Sequence, residues 1–171
     1  MADKDKAKKD KPKKGKDKDA GQGKLIAENR KARYEYFIEE TLEAGIVLVG
    51  TEVKSLRAGR STITEAHAGE MKGELWLFNV NIPEYSAGNR FNHEPKRPRK
   101  LLVHEKQMEK FLGQVKMKGM TLVPLKMYFN ARGIVKVLIG LAKGKKEYEK
   151  REVIKQRDWQ RQQREIMKKN R

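Results

Sequence analysis

The chain has 171 residues, with 41 Lys and Arg against 23 Asp and Glu, and a net charge of +18. This charge favours a polyanionic partner, nucleic acid before a membrane, with an acidic protein as the alternative. The absence of cysteine excludes a disulfide framework and a thiolate zinc site. No run approaches the ~20 apolar residues of a membrane span, so we expect one soluble, cytoplasmic domain and no membrane partner.

Residues 1–23 form the first predicted region and are rich in Lys and Asp, with almost no apolar side chains. They cannot bury enough surface to offset the entropy lost on ordering. We therefore predict a disordered tail. It either only solubilises the chain or makes weak contacts with RNA.

Residues 24–141 form the predicted folded body. Short apolar runs suggest strands at Tyr34–Glu40 and Ile46–Val49, and Thr51–Ala58 is predicted to be a helix ending at Gly59. Alternation over Glu74–Ile82 predicts a strand with Trp76, Phe78, Val80 and Ile82 on one face, and we assign Trp76 to the core.

The second half of the body contains a helix and a hairpin. Apolar residues spaced as on one helix face predict a helix over His104–Lys118, which Gly119 ends. Alternation from Val123 to Phe129, followed by Ile134–Ile139, predicts a β-hairpin. Five or six strands with helices between them favour a mainly β fold, a partly open antiparallel barrel of the oligonucleotide-binding (OB) kind with flanking α-helices.

Residues 142–171 form a basic C-terminal tail with helix-forming composition and sparse apolar residues. We predict that it becomes helical against a polyanion. Trp159, in this polar setting, is predicted to dock or stack.

No catalytic site is predicted, and neither a metal nor a cofactor is expected. His67, His93 and His104 lack the spacing of metal ligands. The glycine- and lysine-containing run Gly140–Lys146 is one residue too short for a phosphate-binding loop and lacks its final Ser or Thr.

The strongest local RNA signal lies between Gly88 and Lys100, where basic side chains cluster beside Phe91 and His93. Cations attract phosphate while a ring stacks on an unpaired base, although a solvated basic loop is the alternative. Glu43 is either a turn or capping residue or a carboxylate that accepts hydrogen bonds from base amino groups.

Four segments together resemble one family: Glu43–Gly59 (EAGIVLVGTEVKSLRAG), Arg99–His104 (RKLLVH), Gly119–Tyr128 (GMTLVPLKMY) and Gly140–Arg151 (GLAKGKKEYEKR). They are similar to the small protein B (SmpB) family of tmRNA-binding proteins, from about Asn29 to the C-terminus. The resemblance implies an OB-type barrel that binds the tRNA-like domain of tmRNA. It also implies delivery of aminoacylated tmRNA, with elongation factor Tu, to stalled ribosomes for rescue and peptide tagging by trans-translation.

The resemblance also implies the site residues. The tmRNA contacts of the family would fall on Asn29, Tyr36, Glu43, Leu102 and His104. The phosphates of the tmRNA are predicted to be held by Lys54, Arg97, Arg99 and Lys100. The tail would enter the decoding site and mRNA channel of the small ribosomal subunit through Lys143, Lys145, Lys146, Tyr148, Glu149, Lys150, Arg151, Trp159, Ile166 and Met167. A ribosomal protein or a general RNA chaperone is the alternative function, and a nuclease is a distant third.

Overall fold

A computed structural model describes residues 23–59, 61–88 and 91–169. All but the last residue of the predicted N-terminal tail, and Arg90 of the basic loop, lie outside the described residues. The elements follow the chain as β1 (Leu25–Glu28), α1 (Arg30–Glu35), β2 (Tyr36–Ile46), α2 (Gly50–Arg57), β3 (His67–Met71), β4 (Glu74–Phe78), β5 (Arg99–Leu102), α3 (Glu105–Lys118), β6 (Thr121–Phe129), β7 (Val135–Gly144) and α4 (Glu147–Lys169).

The strands form one antiparallel sheet that curls into a ring. β7 pairs with both β2 and β6. From β2 the ring continues through β5, β4 and β3 back to β6. β1 is an additional strand that pairs with the second half of β6. Closure is only partial, because β3 meets β6 at the single pair Ala68–Leu122. The predicted partly open barrel with flanking helices is therefore confirmed, with seven strands in the sheet instead of five or six.

The barrel interior is filled by the inward-facing residues of its strands. Leu75 and Leu77 of β4 and Val137, Ile139 and Leu141 of β7 are among the residues that are almost fully buried. Alternation along each strand directs the next side chain outward, so the same strands that form the core also present a polar outer surface.

Two predicted helices are confirmed to within a residue. α2 ends at Arg57 before Gly59, and α3 runs from Glu105 to Lys118 with His104 at its N-cap. Gly119 has φ of +60°, the left-handed conformation that glycine adopts at low cost and that ends a helix. Phe111 anchors α3 to the core.

Three strand predictions are wrong in detail. Tyr34 lies in α1, and β2 continues through Gly45 but stops at Ile46, so that residues 47–49 of the second predicted run lie outside the strand. β4 stops at Phe78, since Asn79 has φ of +58° and reverses which side chains face inward. Leu75 and Leu77 are thus buried with Val80 and Ile82, whereas Trp76, predicted to be core, lies half-buried on the outer face.

The strand β3 was missed by the sequence analysis. It forms a hairpin with β4 through a two-residue turn, Lys72 and Gly73, both with positive φ. This is the turn type that matches the twist of paired strands. The Lys-Gly pair between short alternating runs was the signal available in the sequence.

The C-terminal segment is already helical in this structure, as α4. Its N-terminus is capped by Glu149, whose carboxylate accepts from the Lys146 amide at 2.8 Å. β7 continues to Gly144, three residues beyond the predicted boundary at residue 141. Among the described residues, none of the helices has the length and apolar character needed to cross a bilayer.

Candidate RNA interface

Five neighbouring strands present one continuous outer surface. Strand pairing places Trp76 beside Lys100, Leu102 beside Gly45, and Gly45 beside Lys136, with Tyr128 paired to Lys136. Because alternate residues share a face, Glu43 lies on the same side as Gly45. We call this surface the outer patch, defined by Glu43, Gly45, Trp76, Lys100, Leu102, Tyr128 and Lys136.

Glu43 is held in place at the centre of the outer patch. Its carboxylate accepts a hydrogen bond from the Tyr128 hydroxyl, and Lys136 Nζ lies 3.8 Å from the other carboxylate oxygen. The Glu43 side chain keeps 41% of its surface exposed, so it can still accept from a ligand. Glu43 lies in mid-strand, so the alternative interpretation as a turn or capping residue is wrong.

Tyr128 keeps its proton well into alkaline conditions. Partial burial, the hydrogen bond to Glu43 and the charge of that carboxylate all raise the pKa of Tyr128. The hydroxyl therefore stays a donor to Glu43. Sequence reasoning missed Tyr128 and Lys136 because they are distant from Glu43 in the chain; the only signal was their outward position on alternating strands.

Leu102 gives the outer patch an exposed apolar contact. The side chain is 52% exposed, and a Cβ at Gly45 would lie 3.2 Å from the Cβ of Leu102, so a side chain at residue 45 would crowd it. His104, exposed at the N-cap of α3, follows two residues later. The structure therefore brings together the predicted site residues Glu43, Leu102 and His104.

Asn29 and Tyr36, two other predicted tmRNA contacts, lie outside the outer patch. Tyr36 begins β2, seven residues from Glu43, which corresponds to about 20 Å along a strand. Asn29 is buried; its Oδ1 accepts from the Ala32 amide at 3.1 Å, and its Nδ2 donates to the carbonyls of Ile63 and Thr64. Asn29 thus caps α1 and has almost no exposed surface for a direct RNA contact.

Tyr36 adjoins a groove of about 470 Å³ that Phe37 and Lys145 also line. Lys145 Nζ lies 4.7 Å from the centre of the Phe37 ring and donates to the Arg33 carbonyl at 2.9 Å. The contacts of Lys145 link the end of β7 to the start of β2. A residue of the predicted tail therefore shares one surface with Tyr36 and Phe37 of the barrel.

Three basic residues of the predicted RNA loop are engaged with carboxylates of the protein. Arg99 is fully buried, and its Nε donates to Glu52 at 2.8 Å, so the predicted phosphate contact of Arg99 is wrong. Arg97 donates to both oxygens of Glu52 but keeps 27% of its side chain exposed. Lys100 pairs with Glu74 at the surface, where solvent weakens such a pair. Arg97 and Lys100 therefore still reach solvent.

Lys54 lies on the exposed side of α2, 5.6 Å from the centre of the Tyr85 ring. Of the tail residues, Lys143 and Lys146 are exposed before α4, and Tyr148, Trp159, Ile166 and Met167 are exposed apolar or aromatic residues of α4. Lys150 and Arg151 lie in its first turns, and Arg151 is 3.9 Å from Glu147. α4 thus presents cations and unburied apolar groups together.

Among the described residues, no cluster of three or more His, Asp or Glu is arranged to hold a metal ion. A strongly basic, partly open OB-type barrel with an exposed patch of rings, cations and one held carboxylate belongs to the class of nucleic-acid-binding barrel proteins.

The comparisons with known proteins narrow this class to one family. Residues 26–169 match the family model described as SmpB protein. The chain is 64% identical over 144 residues to the SsrA-binding protein of Rhodopseudomonas palustris (strain BisB18), covering 84% of this chain and 92% of that protein. It is 63% identical over 145 residues to the SsrA-binding protein of Novosphingobium aromaticivorans, covering 85% and 91% respectively.

A solved structure is similar as well. It is described as "tmRNA-SmpB: a journey to the center of the bacterial ribosome", and it matches with a TM-score of 0.60 and 56% identity, covering 70% of this chain and 84% of that chain. The chain therefore belongs to the SmpB family.

Proposed function

We propose that the protein binds the tRNA-like domain of tmRNA through the outer patch and brings aminoacylated tmRNA to stalled ribosomes for trans-translation. The observation that carries this proposal is the exposed Glu43 carboxylate, held by Tyr128 beside the apolar Leu102, in a chain whose relatives are SsrA-binding proteins. Cations supply affinity for any RNA, whereas Glu43 and Leu102 supply groups that discriminate.

The positions of the residues in the structure suggest a separate role for each group. Tyr36 is available to stack, and Lys54, Arg97 and Lys100 to hold phosphates, while Asn29 and Arg99 support the fold. The exposed cations and rings of α4 support its entry into the decoding site and mRNA channel of the small subunit. Delivery with elongation factor Tu in the cytoplasm completes the proposal, in which the protein binds and does not catalyse.

The test is the affinity of the full chain for the tRNA-like domain, measured against elongator tRNA over a range of salt concentrations. We expect both affinities to fall with salt, because phosphate contacts release counterions, while the preference for the tRNA-like domain persists. Displacement of tmRNA by similar concentrations of elongator tRNA would instead favour a general RNA chaperone.

Replacing Glu43 by Ala is expected to weaken binding to the tRNA-like domain about tenfold, although it removes a negative charge from a basic protein, because a base loses its acceptor. Tyr128→Phe should weaken it less, since Glu43 remains but is no longer oriented. Filter binding measures both. Glu70→Ala, an exposed carboxylate of β3 outside the outer patch, is the control; equal or tighter binding by Glu43→Ala would refute a direct contact.

A further inference from the structure

A cleft of about 580 Å³ lies between the start of α2 and the segment that precedes β5. Val49, Thr51 and Lys54 line one side, and Phe91, His93 and Arg97 line the other. None of these residues belongs to the outer patch. The volume falls in the range of small-ligand sites, large enough for a nucleotide.

The walls of the cleft are fixed by internal hydrogen bonds. The His93 ring nitrogens contact the Thr51 hydroxyl at 3.0 Å and the Ile82 carbonyl at 2.9 Å. A carbonyl can only accept, so Nε2 carries the proton that it donates to Ile82. The Asn92 amide bonds both the Tyr85 amide and the Tyr85 carbonyl. The residues that follow Phe91 are thus held to the body of the protein.

On this fixed support, Phe91 is 91% exposed. The transfer of a phenyl ring out of water is favourable. An exposed ring next to a cleft therefore offers a flat apolar face to a partner. Because Asn92 and His93, the residues that follow it, are hydrogen-bonded to Tyr85, Thr51 and Ile82, the ring is held next to the cleft.

The charge around the ring is positive. Two guanidinium groups, Arg97 and Arg99, bind the carboxylate of Glu52, and Arg97, which lines the cleft, keeps 27% of its side chain exposed. Lys54 adds a second cation on the facing wall. None of the described residues that line the cleft carries a carboxylate.

We propose that this cleft binds one unpaired RNA nucleotide, with its base stacked on Phe91 and its flanking phosphates beside Lys54 and Arg97. A ring with cations on either side matches an unstacked base and its backbone, and an RNA duplex keeps its bases away from such a ring. The inference rests on the proposed function only in that the partner is RNA.

The test uses the full chain and a labelled single-stranded RNA dodecamer, with the same sequence as a duplex for comparison. Phe91→Ala is expected to weaken single-strand binding about tenfold, the effect of losing one stacked base, and to leave duplex binding unchanged. Phe91→Tyr should keep the wild-type affinity, because it keeps the ring. Met117→Ala removes an 89% exposed apolar side chain from α3 and is the matched control.

Two further measurements identify the RNA that supplies the nucleotide. The same variants are titrated with the tRNA-like domain of tmRNA and with purified small ribosomal subunits, and a loss confined to one of them assigns the source. If Phe91→Ala binds the single strand, the tRNA-like domain and the subunits as tightly as wild type, the inference is overturned, even where wild type still prefers tmRNA over elongator tRNA. A loss of single-strand binding supports it even where that preference is missing.

Discussion

Replacing Glu52 by Gln is expected to lower the free energy of unfolding by about 3–5 kcal/mol, because it leaves two guanidinium groups without their carboxylate in a buried site. Glu52 and Arg99 are both fully buried, and Arg99 also donates to the carbonyls of Val80, Pro95 and Arg97. The cluster joins α2 to β5 and to the segment that carries Phe91. Chemical denaturation at neutral pH measures the loss.

The pH dependence of unfolding tests the same cluster. Burial by itself would raise the pKa of the Glu52 carboxyl, but hydrogen bonds from Arg97 and the Val49 amide, with the charge of Arg99, hold that pKa below its usual range. The unfolded chain then binds the proton more readily, so the contribution is complete above the ordinary glutamate pKa and is lost as pH falls through the lowered one. Glu52→Gln should therefore lose less stability on acidification than wild type.

The matched control is Glu74→Gln, which breaks the exposed pair with Lys100. Exposed pairs contribute about 0–1 kcal/mol, so this variant should unfold close to wild type. If Glu52→Gln cost no more than Glu74→Gln, the buried cluster would not be what fixes α2 to the barrel.

Replacing Ile166 and Met167 together by Ser is expected to abolish peptide tagging at stalled ribosomes and to leave the affinity for the tRNA-like domain within about twofold of wild type. Both side chains are more than half exposed near the end of α4, away from the outer patch. We propose that they become buried against the ribosome, where a polar side chain would lose the apolar contact. A tagging assay and a binding titration measure the two effects separately.

Gln162→Ser with Gln163→Ser is the control for this double variant. It places two serines in the same helix, at exposed positions, and removes no apolar group. Tagging should persist in the control. A fall in tmRNA affinity for the Ile166 and Met167 variant would contradict the assignment of these residues to the ribosome.

The barrel was predictable from the sequence because its evidence is local. Alternation from Val123 to Phe129 depends on one strand having one buried face, and the ends of α2 and α3 depend on glycines at the following positions. The quoted motifs likewise identified the family, which the comparisons confirm.

Local patterns failed where a backbone reversal changed their phase. Trp76 shares a sequence alternation with Val80 and Ile82, but the left-handed conformation of Asn79 places them on different sides of the sheet. Asn adopts that conformation more readily than most residues, yet nothing in the alternation itself indicates it.

The class of fold, the family and the positive charge that suits an RNA partner could all be predicted from the order of the residues. Which charges remain available to a partner depends on the folded arrangement: Arg99 is neutralised by a glutamate 47 residues earlier in the chain, whereas Glu43 is held exposed by a tyrosine 85 residues later. Pairing between charged side chains depends on which strands and helices become neighbours in the fold. The order of charges along the chain does not reveal which elements will be neighbours.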